Sequence, residues 1–350
     1  MYFSIAQALN FALFGIPMVS SQRLLQIIQP HADNSHSSAS IHAASTATAT
    51  KNSAPAGCSF QRSSRSTATT TLCQPTRKKL MVHSLSPFQT RSLILSTSVW
   101  ASVAEASRTA MAIRYSLLPY MYTLFYLSHT TGSTVMRALS WEYPNDPTLA
   151  AVDNQFLLGP SLMVVPALGQ GMTEVKGVFP GVAQGEVWYD WYTGEAMSAK
   201  PGENVTIPAP LGHIPLYVRG GSVLPQQEAL YTTNECRNSS YSLIVALDAN
   251  GAATGQLYVD DGESLAPNAT LFVDLTASSG SLYASARGLY EDSNALANVT
   301  IMGVASKPKS VTLNGENVSS VAYDDSSKVL KLAELTSTPA WAADWVLSWE

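Results

Sequence analysis

Asp260-Asp261-Gly262-Glu263 puts three carboxylates into four consecutive positions, a density suited to calcium or to acid–base work. Asp-Gly is also favoured in tight turns on conformational grounds, and a hairpin turn is the expected role of this run. Asp190 lies between Trp188 and Trp191, an acid flanked by flat faces of the kind that stack on pyranose rings. Aromatic side chains on strands are more often packed inside, so packing is expected of this pair. His129 and His213 have no Cys or carboxylate at metal-ligand spacing, which makes them turn or capping residues rather than ligands. Ser133 and the histidines complete no nucleophile elbow or triad signature. No metal or cofactor is expected.

Five Asn-X-Ser/Thr sequons begin at Asn204, Asn238, Asn268, Asn298 and Asn317. Their confinement to turns and strand edges of one half of the chain favours passage through the secretory route and glycosylation there. The opening residues lack a positive n-region, and Gln7 and Asn10 interrupt the apolar stretch. No signal peptide is therefore expected in this chain. Phe3, Ala6, Phe11 and Phe14 instead suit one helical face, with Gly15 as the stop and 16–19 entering a strand.

The net charge is −5, which gives no reason to expect nucleic acid as a partner, and no apolar run is long enough for a membrane span. The charge is unevenly spread. Between Asn34 and Ala104 there is no Asp or Glu, against seven Lys and Arg. Within 31–75, Ser and Thr fill 17 of 45 positions, too little apolar surface to offset the entropy of ordering. Cys58 and Cys73 fall in this block and support no disulfide. Cys236, near the sequons, has no evident partner.

The elements that must position any site follow from periodicity. Val103, Ala106, Ala110, Ile113, Leu117, Tyr120, Leu124 and Tyr126 approximate a helical stripe over 101–129, divided at Leu118 by Pro119. A strand is expected over 134–139 and a short helix over 148–154. Beyond 155, short β-branched and aromatic runs recur at 162–166, 186–191, 204–207, 214–218, 242–247, 255–259, 270–275, 281–288, 298–304, 310–313, 328–332 and 345–349. Turn signals such as Thr193-Gly194, Asn250-Gly251 and Asn314-Gly315 separate them. This spacing indicates β-sandwiches.

Several motifs stand in one order. They are Trp100-Ala-Ser-Val-Ala-Glu-Ala-Ser-Arg108, Arg114-Tyr-Ser-Leu-Leu-Pro-Tyr-Met-Tyr-Thr-Leu-Phe125 and Val135-Met-Arg-Ala-Leu139. Gln155-Phe-Leu-Leu-Gly-Pro160, Val187-Trp-Tyr-Asp-Trp-Tyr-Thr-Gly194, Ile214-Pro-Leu-Tyr-Val-Arg-Gly-Gly221 and Leu257-Tyr-Val-Asp-Asp-Gly-Glu263 follow. Over 100–265 this series resembles the C-terminal portion of glycoside hydrolase family 31, the α-glucosidases. Phe14-Gly-Ile-Pro-Met-Val19 resembles an earlier barrel segment of the same family.

The resemblance implies an α/β plus all-β chain, the C-terminal fragment of a (β/α)8 barrel followed by two β-sandwich domains. The implied parts are a barrel fragment at 1–19, the end of the barrel at 99–148, a proximal β domain at 149–224 and a distal one at 225–350. The implied activity is hydrolysis of terminal α-linked glucose from oligosaccharides with retention of configuration. Both family catalytic residues, a pair of Asp, precede the segment that Met1 begins, so no catalytic or substrate-binding residue is carried over. The parent protein is expected to be secreted, with an oligosaccharide or glucan as its substrate.

After Val19 the family continues with a glycine–acid–cysteine-glycine-phenylalanine stretch, whereas this chain has the acid-free block. Segment 20–98 is therefore read as non-family sequence, either frame-shifted or a disordered insertion. Joining the last base of each codon to the first two of the next lets 42–47 permit CGFNG and 50–54 permit EELC. The same operation lets 55–71 permit RWMQLSAFFPFYRNHN. A truncated hydrolase, a non-catalytic carbohydrate-binding β-sandwich module and a functionless folded remnant are the three readings this leaves.

Overall fold

The computed structural model describes residues 101–350 apart from Gln170, Ser337 and Thr338, together with Ile5, Ala8, Leu9, Ala12 and Leu13. Segment 20–98 with Cys58 and Cys73, and the strand expected over 16–19, lie outside the described residues. Ile5, Ala8 and Ala12 are helical and buried, spaced as one helical face. Ile5 and Ala8 pack with Met136, Phe156, Val164 and Leu216. Phe3, Ala6, Phe11 and Phe14, the face expected from sequence, are not among the described residues.

The long helical stripe is two helices, α1 (Ala101–Ser116) and α2 (Leu118–Thr131). The break falls at Leu117, one residue before the expected point, with φ −84° and ψ 4°. Pro119 then sits in the first turn of α2, where a missing N–H costs no hydrogen bond. Gly132, at φ +74°, closes α2 and donates its N–H to the Ser128 carbonyl at 3.1 Å. β1 is only Met136–Arg137, shorter than expected because Leu139 already opens α3 (Leu139–Glu142). The helix expected over 148–154 is a single 3₁₀ turn, Pro147–Leu149, capped by the Asp146 carboxylate.

β2 (Phe156–Leu158), β3 (Leu162–Val164), β4 (Glu174–Val178), β5 (Trp188–Asp190), β6 (Asn204–Pro208) and β7 (Leu216–Arg219) follow. Five of these strands form an antiparallel sheet in the order β1-β2-β3-β7-β5, while β4 and β6 pair as a ribbon. Because β1 pairs antiparallel with β2, the (β/α)8 part of the expectation is carried no further by the described residues.

The remaining elements are β8 (Ser222–Gln227), α4 (Thr233–Arg237), β9 (Tyr241–Ala246), β10 (Ala253–Val259), β11 (Leu271–Ser278) and β12 (Ser281–Gly288). After them come β13 (Leu296–Met302), β14 (Val311–Leu313), β15 (Glu316–Asn317), β16 (Ser320–Asp324), β17 (Val329–Ala333) and β18 (Trp345–Trp349). Among the described residues, these strands form one curled sheet in the order β15-β14-β18-β12-β11-β10-β8-β9-β13-β17-β16. The curl turns at β8, which joins β10 at the single parallel pair Thr254–Ser222 and β9 by a full antiparallel register. The expected boundary between 224 and 225 falls inside this strand.

Alternation explains the core. Along β11, Leu271, Val273, Leu275 and Ala277 are buried and face inward with Leu243 and Val245 of β9, Leu257 of β10 and Leu347 of β18. Each such Leu or Val contributes about 1.5–3 kcal/mol on burial. The opposite faces of β8, β9, β13 and β17 each add apolar residues at one end. Leu224, Ile244, Met302 and Val329 pack against Leu117, Tyr120, Leu124, Tyr189 and Val218. This half of the sheet is a middle layer between α2 with the five-stranded sheet and the sandwich core.

The turn expected at Asn314-Gly315 is present and closes a hairpin, with φ +51° and +86° joining β14 to β15. Asp261-Gly262 is different. Val259 pairs with Leu271, so the Asp-Gly pair begins a long connection over 260–270 instead of closing a two-residue turn. The reason is local: Asp261 Oδ1 accepts from Glu263 N at 3.1 Å and Ser264 N at 3.0 Å, which turns the chain away from the ladder.

Candidate functional site

Two charged nodes tie the helices to the sheets. In the first, Arg137 of β1, Glu142 of α3, Arg219 of β7 and Glu186, just before β5, alternate in sign. Glu142 bonds Arg137 and lies 4.0 Å from Arg219. Arg219 grips both oxygens of Glu186, with Nε at 2.9 Å, the bidentate geometry that a guanidinium suits. The Arg219 guanidinium carbon stands 5.0 Å from the centroid of the Tyr143 ring. Its bond to Glu186 raises the pKa of Arg219 further, and burial pushes the Tyr143 hydroxyl up.

In the second node, the Tyr122 hydroxyl of α2 donates to both oxygens of Asp260, at 2.7 and 2.9 Å. Gly262 N also donates to Asp260 Oδ1 at 2.7 Å, and Arg237 Nη2 is 4.0 Å from that oxygen. Asp260 is 4% exposed. Burial, then the bond to Asp260, pushes the Tyr122 hydroxyl up to about 12. Tyr126 stacks on Tyr258 at 3.9 Å, and Phe272 closes the aromatic cluster. Thr123 Oγ1 accepts from Tyr258 N at 3.0 Å, so α2 is bonded side chain to backbone against β10.

The other clustered acids are spent in the same way. Asp190 Oδ1 accepts from Tyr192 N at 2.8 Å and Thr193 N at 2.9 Å. Asp248 caps its turn through Asn250 N and Ala252 N, and Asp292 accepts from the Tyr241 hydroxyl at 2.6 Å. These acids act as turn caps and hydrogen-bond acceptors within the β layers. Among the described residues, no group of three or more His, Cys, Asp and Glu is placed to hold a metal ion.

Of the run weighed as a calcium cluster, Asp260 accepts from Tyr122 and Gly262, and Asp261 accepts from Ser264 and from the backbone N–H of Glu263. Trp188 is buried, its indole N–H donating to the Pro180 carbonyl at 2.9 Å, and Trp191 packs against the middle layer; both are packing residues. His213 follows a turn through its N–H to Pro210 O, and its ring meets that of Tyr192 at a 38° tilt with centroids 4.3 Å apart. His129 lies exposed in the last turn of α2. Cys236 is buried and free, its sulfur accepting from Leu230 N at 3.2 Å. Asn204 on β6, Asn238 at the end of α4, Asn268 in 260–270, Asn298 on β13 and Asn317 on β15 are all exposed.

Sequence reasoning missed both nodes. Arg137 and Arg219 stand inside quoted motifs, but no local signal pairs residues as far apart as Tyr122 and Asp260.

Residues 132–224 match the model described as "Glycosyl hydrolase family 31 C-terminal domain". The whole chain aligns over 359 residues with an α-glucosidase of Aspergillus niger at 50% identity, covering 32% of that protein. An α-glucosidase of Aspergillus oryzae aligns at 49% over the same extent. The chain thus spans about a third of the length of these curated relatives. Among solved structures, a DNJ-bound glucosidase II alpha subunit superposes with a TM-score of 0.62 at 23% identity. That match covers 70% of this chain and 29% of the other, and it speaks to the fold alone. The chain is similar to the C-terminal portion of the family 31 α-glucosidases.

Proposed function

We propose that this family 31 α-glucosidase-like portion serves a hydrolase that releases terminal α-linked glucose from oligosaccharides with retention of configuration. The observation that carries this is the similarity along the entire chain to an Aspergillus niger α-glucosidase. Retaining hydrolysis needs two carboxyl groups about 5–5.5 Å apart, one attacking the anomeric carbon and one donating and then recovering a proton. The clustered acids described above are committed to arginines, tyrosine hydroxyls and turn amides, so this portion supplies support and not the reacting pair. Its task is to seat α1 and α2 against the β layers.

Purified as the 350-residue chain, the protein is expected to release no glucose from maltose. Glucose release that is lost on replacing a single Asp beyond position 100 overturns the assignment of a supporting role. Retention on starch without hydrolysis favours the carbohydrate-binding reading instead. Secretion of the parent protein belongs to the same proposal, supported by five sequons with exposed Asn side chains. Within segment 20–98, residues 42–71 are read as family sequence out of frame, and genomic DNA across codons 19–99 tests that directly.

A further inference from the structure

Strand register carries three connections to one end of the curled sheet. Gln227 of β8 faces Tyr241 of β9, β10 runs parallel to β8, Val259 faces Leu271, and Leu271 faces Gly288. β13 starts beside Tyr241. The connections 228–240, 260–270 and 289–295 are therefore neighbours, and hydrogen bonds tie them together. Arg237 donates to the Asp260 carbonyl, Asn294 Nδ2 to the Arg237 carbonyl at 2.7 Å, and Leu289 N to the Thr270 carbonyl at 3.0 Å.

Each connection carries an apolar side chain held out in water. Tyr231 is 96% exposed, Leu265 94% and Leu289 84%. One such residue alone means nothing, but three on mutually bonded loops at one end of the sheet concentrate exposed apolar surface there. Each connection also carries a sequon at or just beyond it. Asn238 lies in the first, Asn268 in the second, and Asn298 stands two residues inside β13 beyond the third, its Nδ2 donating to Ser242 Oγ at 3.2 Å. All three Asn residues are exposed. The other two sequons lie elsewhere: Asn204 on the β4–β6 ribbon, and Asn317 level with Thr312 and, through Ser348, with Ser281 at the far end of β12.

We propose that N-linked glycans on Asn238, Asn268 and Asn298 cover this apolar surface and keep this end of the sandwich from self-association. The proposal rests on the secretory reading. The Asn amide nitrogen bonds the anomeric carbon of a polyprenyl-pyrophosphate-linked oligosaccharide. The carbon–oxygen bond to pyrophosphate breaks, and the amide proton leaves with the polyprenyl pyrophosphate. The first N-acetylhexosamines then offer acetyl methyls and C–H ring faces to Tyr231, Leu265 and Leu289, with hydroxyls outward. A protein partner would need an unbroken surface of roughly 800 Å² on this side, and two sequons in the loops with a third just inside β13 interrupt one.

The test uses the 350-residue chain secreted from a glycosylating eukaryotic host. Peptide mapping is expected to find glycan at Asn238, Asn268 and Asn298. N238Q/N268Q/N298Q is expected to shift from monomer to aggregate by light scattering and to gain hydrophobic-dye fluorescence, while N204Q/N317Q stays monomeric. Adding Y231S, L265S and L289S to the triple variant is expected to restore the monomer. Enzymatic removal of glycans from the already folded chain, with circular dichroism unchanged, gives the same readout where a variant fails to fold. Absence of glycan at all five sites sinks the secretory reading and the cover with it. Occupied sites whose removal leaves the chain monomeric sink the cover alone, as does a stable dimer of the fully glycosylated chain.

Discussion

Replacing Tyr122 by Phe deletes one oxygen and little else, which makes it the cleanest probe of how α2 is held. That hydroxyl donates to both oxygens of a carboxylate that is 4% exposed. A hydrogen bond to a charged group contributes about 1.5–3 kcal/mol net, so Tyr122→Phe is expected to cost about 2 kcal/mol. At the 2–4 °C per kcal/mol typical of 150–250 residues, the melting temperature falls by roughly 4–8 °C. Asp260→Ala removes the acceptor for Tyr122 and Gly262 together and costs about 3 kcal/mol. The double variant is expected to cost less than the sum, with a coupling energy of about 1.5–2 kcal/mol. Urea unfolding followed by tryptophan fluorescence on all four proteins measures it. In Asp260→Ala the Tyr122 hydroxyl is also expected to titrate below about 12, read from tyrosinate absorbance. Strict additivity of the two substitutions, within about 0.5 kcal/mol, refutes the reasoning.

Trp188→Ala leaves a cavity at a 1%-exposed site and orphans the Pro180 carbonyl; a loss of about 3–5 kcal/mol in urea unfolding is expected. Gly255→Ala places a Cβ 2.2 Å from the Val223 carbonyl oxygen, where backbone must move, so a loss of about 1–3 kcal/mol is expected. Burial raises the Tyr122, Tyr189 and Tyr192 hydroxyls from 10.0 to about 12. The fold thus favours the neutral phenols, their stabilisation is complete below pH 10.0 and declines as pH climbs toward 12, and urea midpoints at pH 8, 10 and 11 should fall in that order. Limited proteolysis is expected to yield a resistant piece that retains α2, and a product starting at 140–150 with α2 released contradicts the packing of Tyr120 and Leu124.

The strands with clean alternation were legible from sequence because one face of each meets the sandwich core, as in β11 and β12. β8 was not, because Ser222–Gln227 shows no apolar alternation, with Val223 and Leu224 adjacent, and contains Pro225, which ordinarily argues against a central strand. The structure admits it because β10 pairs with β8 only at Ser222, so Pro225 is spared the donor it lacks. β4 was hidden by Gly177, whose place in the ribbon is set by the Ile207 methyl 2.9 Å from where a Cβ would stand. The break at Pro119 followed from covalent geometry and needed no tertiary knowledge. The Arg219 and Asp260 nodes depended on long-range register, which residue types alone do not encode. The motif order across 100–265 carried the kinship to α-glucosidases, since aromatic and glycine spacing survives where pairings are invisible.

The middle layer has a mechanical consequence. Swinging the distal strands away from α2 would wet Leu224, Ile244, Met302 and Val329 at once, at about 1.5–3 kcal/mol for each of the larger ones. Separating these layers therefore also strains the Tyr122–Asp260 bonds by which α2 is held to the end of β10.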